Sequence, residues 1–221
     1  MPFARELSEE TKHRFIEAAT QMFAVHGFSN TTVRELAKAA HCHVGAINYH
    51  FGSKEKLYQA VVLKTFRQLS ERRVASLRSL MERTGGHPSL EAVVHAFAHA
   101  FLDPFLHEEQ ADIRLRLVLH EMVHQLLPRQ LVQRELIDPV NKALMQALSA
   151  AAPELDQETL ALAIYSLVAQ LVHVVHLHWF APTRAAEYTS FGPLLLDHIV
   201  RFTSGGIKSL QKALIAQEAA C

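Results

Sequence analysis

The segment VLHEMVH runs from Val118 to His124 and contains His120-Glu121-Met122-Val123-His124. On a helix, histidines at i and i+4 share one face. There they can bind zinc, with the intervening glutamate as general base. A zinc-dependent hydrolase is therefore one reading of this chain. Three features weigh against it. Arg116, His120 and His124 form one stripe, and a fixed cation one turn away disfavours a divalent ion. Leu127 and Gln130 stand where a third histidine would follow, and nothing points to the more distant Glu154 or Glu158 as a ligand. The chain also holds 15 histidines, so chance pairs are common.

His95 and His99 make another i, i+4 pair, between Phe97 and Phe101, and His173 and His176 lie in an uncharged stretch. Were these faces to converge with Arg116, His120 and His124, they would wall an apolar cavity. It would suit a small, partly aromatic and anionic molecule. The same histidines allow a metal-sensing role, and for any single one a packed or surface histidine is the plainer reading. No cofactor is expected.

The 221 residues carry no net charge, but the charge is uneven. Residues 1–83 hold 13 Lys and Arg against 8 Asp and Glu, and the remainder holds the opposite excess. A basic amino-terminal part suits a polyanion, carried on a portion that does not. Cys42 and Cys221 form no C-x-x-C pair, and the polar start lacks a signal-peptide pattern, so a reducing cytoplasm is expected. Leu160–Thr183 has no Asp, Glu, Lys or Arg and is long enough to span a bilayer. Ser166, Gln170 and His173 recur along it, which favours a bundle helix and no membrane partner.

Helical periodicity dominates, so the expected fold is all-α, with about nine helices. The first helix reads from about Ser8 or Thr11 to His26, with Phe15, Ala18, Ala19, Met22 and Phe23 as its apolar stripe. Thr32 and Glu35 form a capping box that opens a short helix to about Ala40. After the turn HCH comes a second short helix, about Val44 to Phe51. Gly52-Ser53 breaks it, and Ser53 caps a long helix to about Arg83. Further helices read at about 90–106, 111–127, 129–151, 156–180 and 187–218. Pro104, Pro128, Pro153 and Pro182 fall at their edges, and Asp156 is a cap.

Two short helices joined by a tight turn in a basic region read as a helix-turn-helix, an ordinary helical hairpin being the alternative. Leu36, Ala37 and Ala40 would pack the first helix, and Val44 and Ile47 the second. Gly45, Ala46, Asn48, Tyr49 and His50 then face outward, as suits a major groove.

The segment FSNTTVRELAKAAHCHVGAINYHFGSKEKLY, residues 28–58, resembles the DNA-binding module of TetR-type transcriptional regulators. Its most specific part is GAINYHFGSKEKLY. The stretch LRLVLHEMVHQLLPRQLVQRELIDPV more loosely resembles the effector part of one subgroup. The resemblance implies a DNA-binding domain over 8–68 and an effector-binding and dimerisation domain over 69–221. It implies that Thr32 and Lys54 contact phosphates, and that Tyr49 touches a phosphate or a thymine methyl. Gly45 would allow close approach, and Ala46, Asn48 and His50 would face bases. Arg34 and Val44 belong to the same DNA-facing set, and Phe51 would lock the second short helix in place. The family often has Gly where His41 stands, at a turn position favouring positive φ, and Ser or Asn near His43.

The expected protein is a cytoplasmic homodimer that represses transcription from a palindromic operator until a small-molecule effector releases it. The last two long helices would form the dimer surface, with Trp179 and Phe180 as anchors. Besides the hydrolase, the competing reading is a helical interaction module that binds no DNA.

Overall fold

The computed structural model describes the backbone of residues 2–106, 108–180 and 182–218, and the side chains of 8–106, 108–177 and 193–213. Among the described residues every regular element is helical. In chain order these are α1 (Pro2–His26), α2 (Val33–Ala39), α3 (Gly45–Phe51), α4 (Lys54–Arg83), α5 (Leu90–Leu106), α6 (Ala111–His124) and α7 (Arg129–Val132). A π-helical turn, Gln133–Ile137, leads to α8 (Asp138–Ala151), followed by α9 (Gln157–Phe180) and α10 (Pro182–Glu218).

The chain divides into two compact units that do not follow it in simple order. One comprises Met1–Gln68 with Glu109–Glu135, the other Leu69–Glu108 with Leu136–Cys221.

The first unit is built on α1. Phe15, Ala19, Phe23 and Ala24 of α1 are buried with Leu36 and Ala37 of α2, Ile47 of α3, Leu57 and Val61 of α4, and Leu115 and Leu117 of α6. Tyr58 meets Phe23 and Phe28 edge-on, each with ring centroids 5.2 Å apart. Such aromatic pairs add directional contacts to the area they bury.

In the second unit α5 packs on α8, α9 and α10, and α9 on α8 and α10. Residues 157–177 of α9 are long and apolar enough to cross a membrane. Leu160, Leu167, Leu171 and Val175 of this helix are instead buried in the bundle, and Gln170 donates to the Thr203 hydroxyl at 3.3 Å.

Several expected boundaries move. Residues 129–151, read as one helix, are interrupted by the π-turn just before Pro139. Proline has no N–H and its ring clashes with the carbonyl four residues back, so the wider turn absorbs a misfit. Pro104, expected at an edge, is buried inside the last turn of α5. Helix α10 begins at Pro182, ahead of the expected 187, because proline at a first turn sacrifices no hydrogen bond. Helix α6 stops at His124, with Gln125 in the left-handed region at φ 47°.

Candidate nucleic-acid interface

Thr32 and Glu35 start the site. The Glu35 N–H donates to the Thr32 hydroxyl at 3.2 Å, and the Thr32 N–H donates to a Glu35 carboxylate oxygen at 2.8 Å. The Thr32 hydroxyl also donates to that carboxylate. These bonds hold the Glu35 pKa below its ordinary value, the side-chain bond from Thr32 first. Thr32 is thus fully engaged as the cap of α2, and it is exposed.

The turn after α2 is set by His41. Its φ is 52°, in the left-handed region that the resemblance implied for this turn position. The Cys42 N–H reaches the Ala37 carbonyl at 2.9 Å and the His41 N–H the Lys38 carbonyl at 3.1 Å, closing the helix as a Schellman-type end. The Cys42 thiol donates to the Ala40 carbonyl at 3.3 Å and is half-buried, a packed thiol rather than a displayed one.

Helix α3 begins without a Ser or Asn cap. The His43 Nδ1 accepts the Gly45 N–H at 3.2 Å and takes that place. A Cβ on Gly45 would stand 3.4 Å from the same nitrogen, in ordinary van der Waals contact. Val44, expected to pack, is 42% exposed because the helix starts one residue later and leaves it outside the first turn. Ile47 is buried and fixes which side of α3 faces inward. Asn48 is exposed, Tyr49 is 82% exposed and Ala46 and His50 are half-buried, so the outward set is presented together. Phe51 meets Phe15 edge-on with ring centroids 6.1 Å apart, which anchors α3 to α1.

Lys54 makes contacts that its sequence position did not show. Its ammonium donates to the Phe28 carbonyl at 2.9 Å and the Thr31 carbonyl at 3.0 Å, and lies 4.1 Å from the Phe28 ring centroid. It ties the loop before α2 to the start of α4. Two of its three N–H donors are used, and one remains. Arg34 is exposed on α2.

The H-E-x-x-H segment is organised around its glutamate. Glu121 is buried and accepts the Tyr58 hydroxyl at 3.0 Å and the Leu127 N–H at 2.8 Å. Burial, then the Glu121 charge, raises the Tyr58 pKa above its ordinary value. Its partners are a phenol and a backbone amide, and the bond to the amide also closes the end of α6. His120 and His124 stack with centroids 6.0 Å apart, and the His120 ring lies against Gly27. Arg116 pairs with Asp112 at 2.9 Å. Among the described residues no group of three or more His, Cys, Asp or Glu is placed to hold a metal ion.

The candidate effector residues fall in different units. Arg116, His120 and His124 lie in the first, and His95, His99, His173 and His176 in the second. His95 and His99 stack at 6.1 Å on exposed turns of α5, and His95 borders a groove of about 240 Å³ with Pro193, Leu196, Asp197 and Val200 of α10. His173 is exposed and His176 half-buried.

A short helix with a buried inner edge, an exposed polar outer edge and a capped partner helix across a tight turn defines a helix-turn-helix protein. Two family models match the chain: "Bacterial regulatory proteins, tetR family" over residues 15–61 and "Tetracyclin repressor-like, C-terminal domain" over residues 95–206. The chain belongs to the TetR family of transcriptional regulators. It is 33% identical over 81 residues to the transcriptional regulator HbdR of Aromatoleum sp. (strain CIB), covering 35% of each chain. It is 26% identical over 134 residues to the regulator AcrR of Shigella flexneri, covering 60% of each. These matches span from about a third to three-fifths of the relatives' length. The fold is similar to that of a TetR-family regulator from Mesorhizobium loti MAFF303099, with a TM-score of 0.64 at 18% identity, covering 88% of this chain and 97% of that one.

Proposed function

We propose that the protein is a cytoplasmic, homodimeric repressor without catalytic activity, which leaves a near-palindromic operator when a small molecule binds its carboxy-terminal part. The observation that carries the DNA reading is the outward face of α3. Ile47 points in, while Asn48 and Tyr49 are exposed beside His50 and Ala46. Amide and imidazole groups read base edges, tyrosine reaches phosphates and methyl groups, and a small residue allows approach. Residues 8–68 then act as the DNA-binding domain and 69–221 as the effector and dimer domain. Val44, Gly45, Thr32, Arg34 and Lys54 flank the contact.

Dimer formation is supported by exposed apolar side chains on the last two helices: Leu162 and Tyr165 on α9, Leu194, Phe202 and Leu210 on α10. Pairing α9 and α10 across a two-fold axis would cover them. The anchors expected at Trp179 and Phe180 have side chains outside the described residues. Arg73, in the second unit, supports an acidic effector. It is buried, its guanidinium carbon lies 3.9 Å from the Phe101 ring centroid, and its Nε has no acceptor. A buried cation in this state gains from an anion.

The test is binding to an operator selected from random duplexes, measured across salt. The expected affinity falls steeply as salt rises, since phosphate contacts release counterions. Absence of a selected sequence, or a flat salt response, would refute the reading.

A further inference from the structure

A cleft in the first unit lies away from the outward face of α3. It measures about 520 Å³. Its walls come from α1, the end of α2, α4 and α6, and none of Ala46, Asn48, Tyr49 or His50 lines it. Cations from three helices meet there: Arg14 from α1, Lys64 from α4 and Arg114 from α6, with Glu17 the one carboxylate. Glu17 pairs with His13 at 3.4 Å, not with a wall cation. Among the described residues no carboxylate pairs with Arg14 or Lys64. The Arg14 Nε is buried with no hydrogen-bond partner, and one terminal nitrogen reaches only the Thr11 hydroxyl, at 3.5 Å. Amide groups of Gln21, Gln68 and Gln110 add further donors.

We propose that this cleft binds a small phosphorylated anion carrying at least two negative charges. An excess of cations over carboxylates in a concave, partly desolvated wall raises the local concentration of anions. The planar guanidinium of Arg14 can grip two oxygens at once, while Lys64 acts as a point charge. The cations stand on separate helices, which suits a ligand whose charge is spread over several oxygens rather than a single carboxylate. All the lining residues belong to the first unit, whereas Arg73 belongs to the second, so this site is separate from the one proposed above. His41 also lines the cleft, so an occupant would touch the turn that joins α2 to α3 and cross-link it to α4 and α6.

The probe is inorganic pyrophosphate, titrated calorimetrically into the full chain at constant ionic strength. Orthophosphate and sulfate serve as comparators. The expected result is saturable binding of one pyrophosphate per chain, with a dissociation constant of about 1 mM or tighter. The double variant Arg14→Met/Lys64→Met should weaken it about tenfold or more, and Tyr49→Ala on the α3 face should leave it unchanged. Lys64→Glu, at an exposed position, gives the same test in a single change should the double variant fold poorly. Non-saturating heats with the wild type, or equal binding by the charge variants, would overturn the proposal. Loss of binding in Tyr49→Ala would also overturn it, by placing the anion on the DNA face.

Discussion

The hydroxyl of Tyr58 on α4 donates to a carboxylate oxygen of Glu121 on α6 at 3.0 Å, inside the first unit and shielded from water. The other carboxylate oxygen takes the Leu127 N–H. A glutamate placed like a hydrolase base is thus a structural tie between two helices and the cap of its own helix end. Tyr58→Phe leaves a buried carboxylate oxygen without its donor and should cost about 1–3 kcal/mol. Glu121→Gln keeps an acceptor for Leu127 and should cost less than Glu121→Leu, which strands both donors. Urea unfolding of the three variants checks the order. Equal losses for Gln and Leu would show that the hydrogen bonds contribute little there.

Gly27 has φ 75°, and a Cβ there would stand 3.4 Å from the His120 ring. Gly27→Ala therefore meets an ordinary contact but carries left-handed strain, and should destabilise by about 1–2 kcal/mol. His41→Gly changes a left-handed residue in the opposite sense. Relief of strain and added freedom of the unfolded chain should nearly cancel, within about 1 kcal/mol. Thermal melts separate the two. A larger loss in His41→Gly would reveal a bond made by the imidazole.

Thr32→Ala removes the cap of α2 and should cost about 1 kcal/mol. Glu35 gives this box a pH signature. Its folded pKa lies below the ordinary value, first because of the bond from Thr32. The folded state therefore binds this proton less readily than the unfolded one. The contribution is complete above the ordinary carboxylate pKa and is lost as pH falls through the lowered one. The stability difference between wild type and Glu35→Gln should shrink on acidification. A difference independent of pH would remove the carboxylate from the account.

These elements differ in how far the sequence disclosed them. Thr32 with Glu35 was legible because capping depends on residues within one turn of each other, whereas the positive φ at His41 was implied by the resemblance to a family that often has Gly there. The inward position of Ile47 followed from helical spacing alone. The Tyr58–Glu121 tie joins residues far apart in sequence, and no local rule brings a phenol to that carboxylate. Lys54 shows the same limit: the resemblance implied a phosphate contact, while its reach back to Phe28 and Thr31 depends on how the loop before α2 folds. Gln125 carries no glycine signal for its positive φ, since the helix end is closed instead by the Glu121 side chain. The histidine pairs were visible, but their division between two units was not.

Arg73 is buried over Phe101 with its Nε unpartnered, and burial lowers its pKa to about 9. It remains a cation at neutral pH. Arg73→Met keeps the alkyl packing, removes the charge and should stabilise the effector-free protein by about 1–3 kcal/mol. The sign with pH follows from the lowered value. Below about 9 both folded and unfolded states hold the proton and the penalty is complete. Above it the folded state releases the proton first, so the advantage of the methionine variant should narrow. Melting curves at neutral and alkaline pH check this. A variant less stable than wild type would mean that the guanidinium has a favourable partner.

The DNA reading separates the roles of Asn48 and Lys54 in a way the structure sharpens. Asn48 is exposed on α3, and its amide is suited to a base edge, so Asn48→Ala should relax preference at particular operator positions by about 1–3 kcal/mol each. Its melting temperature should stay near that of the wild type. Lys54 holds the Phe28 and Thr31 carbonyls as well as offering one remaining donor. Lys54→Ala should therefore weaken all duplex sequences alike and also lower the melting temperature without DNA. Lys54→Arg tests whether charge alone suffices: a guanidinium can meet a phosphate but does not reproduce a compact ammonium between two carbonyls over a ring. Partial recovery of DNA affinity with a still-lowered melting temperature is the expected pattern. Full recovery of both would show that the tie to the loop contributes nothing, and identical binding profiles for the Asn48 and Lys54 variants would undo the division between reading bases and holding the frame.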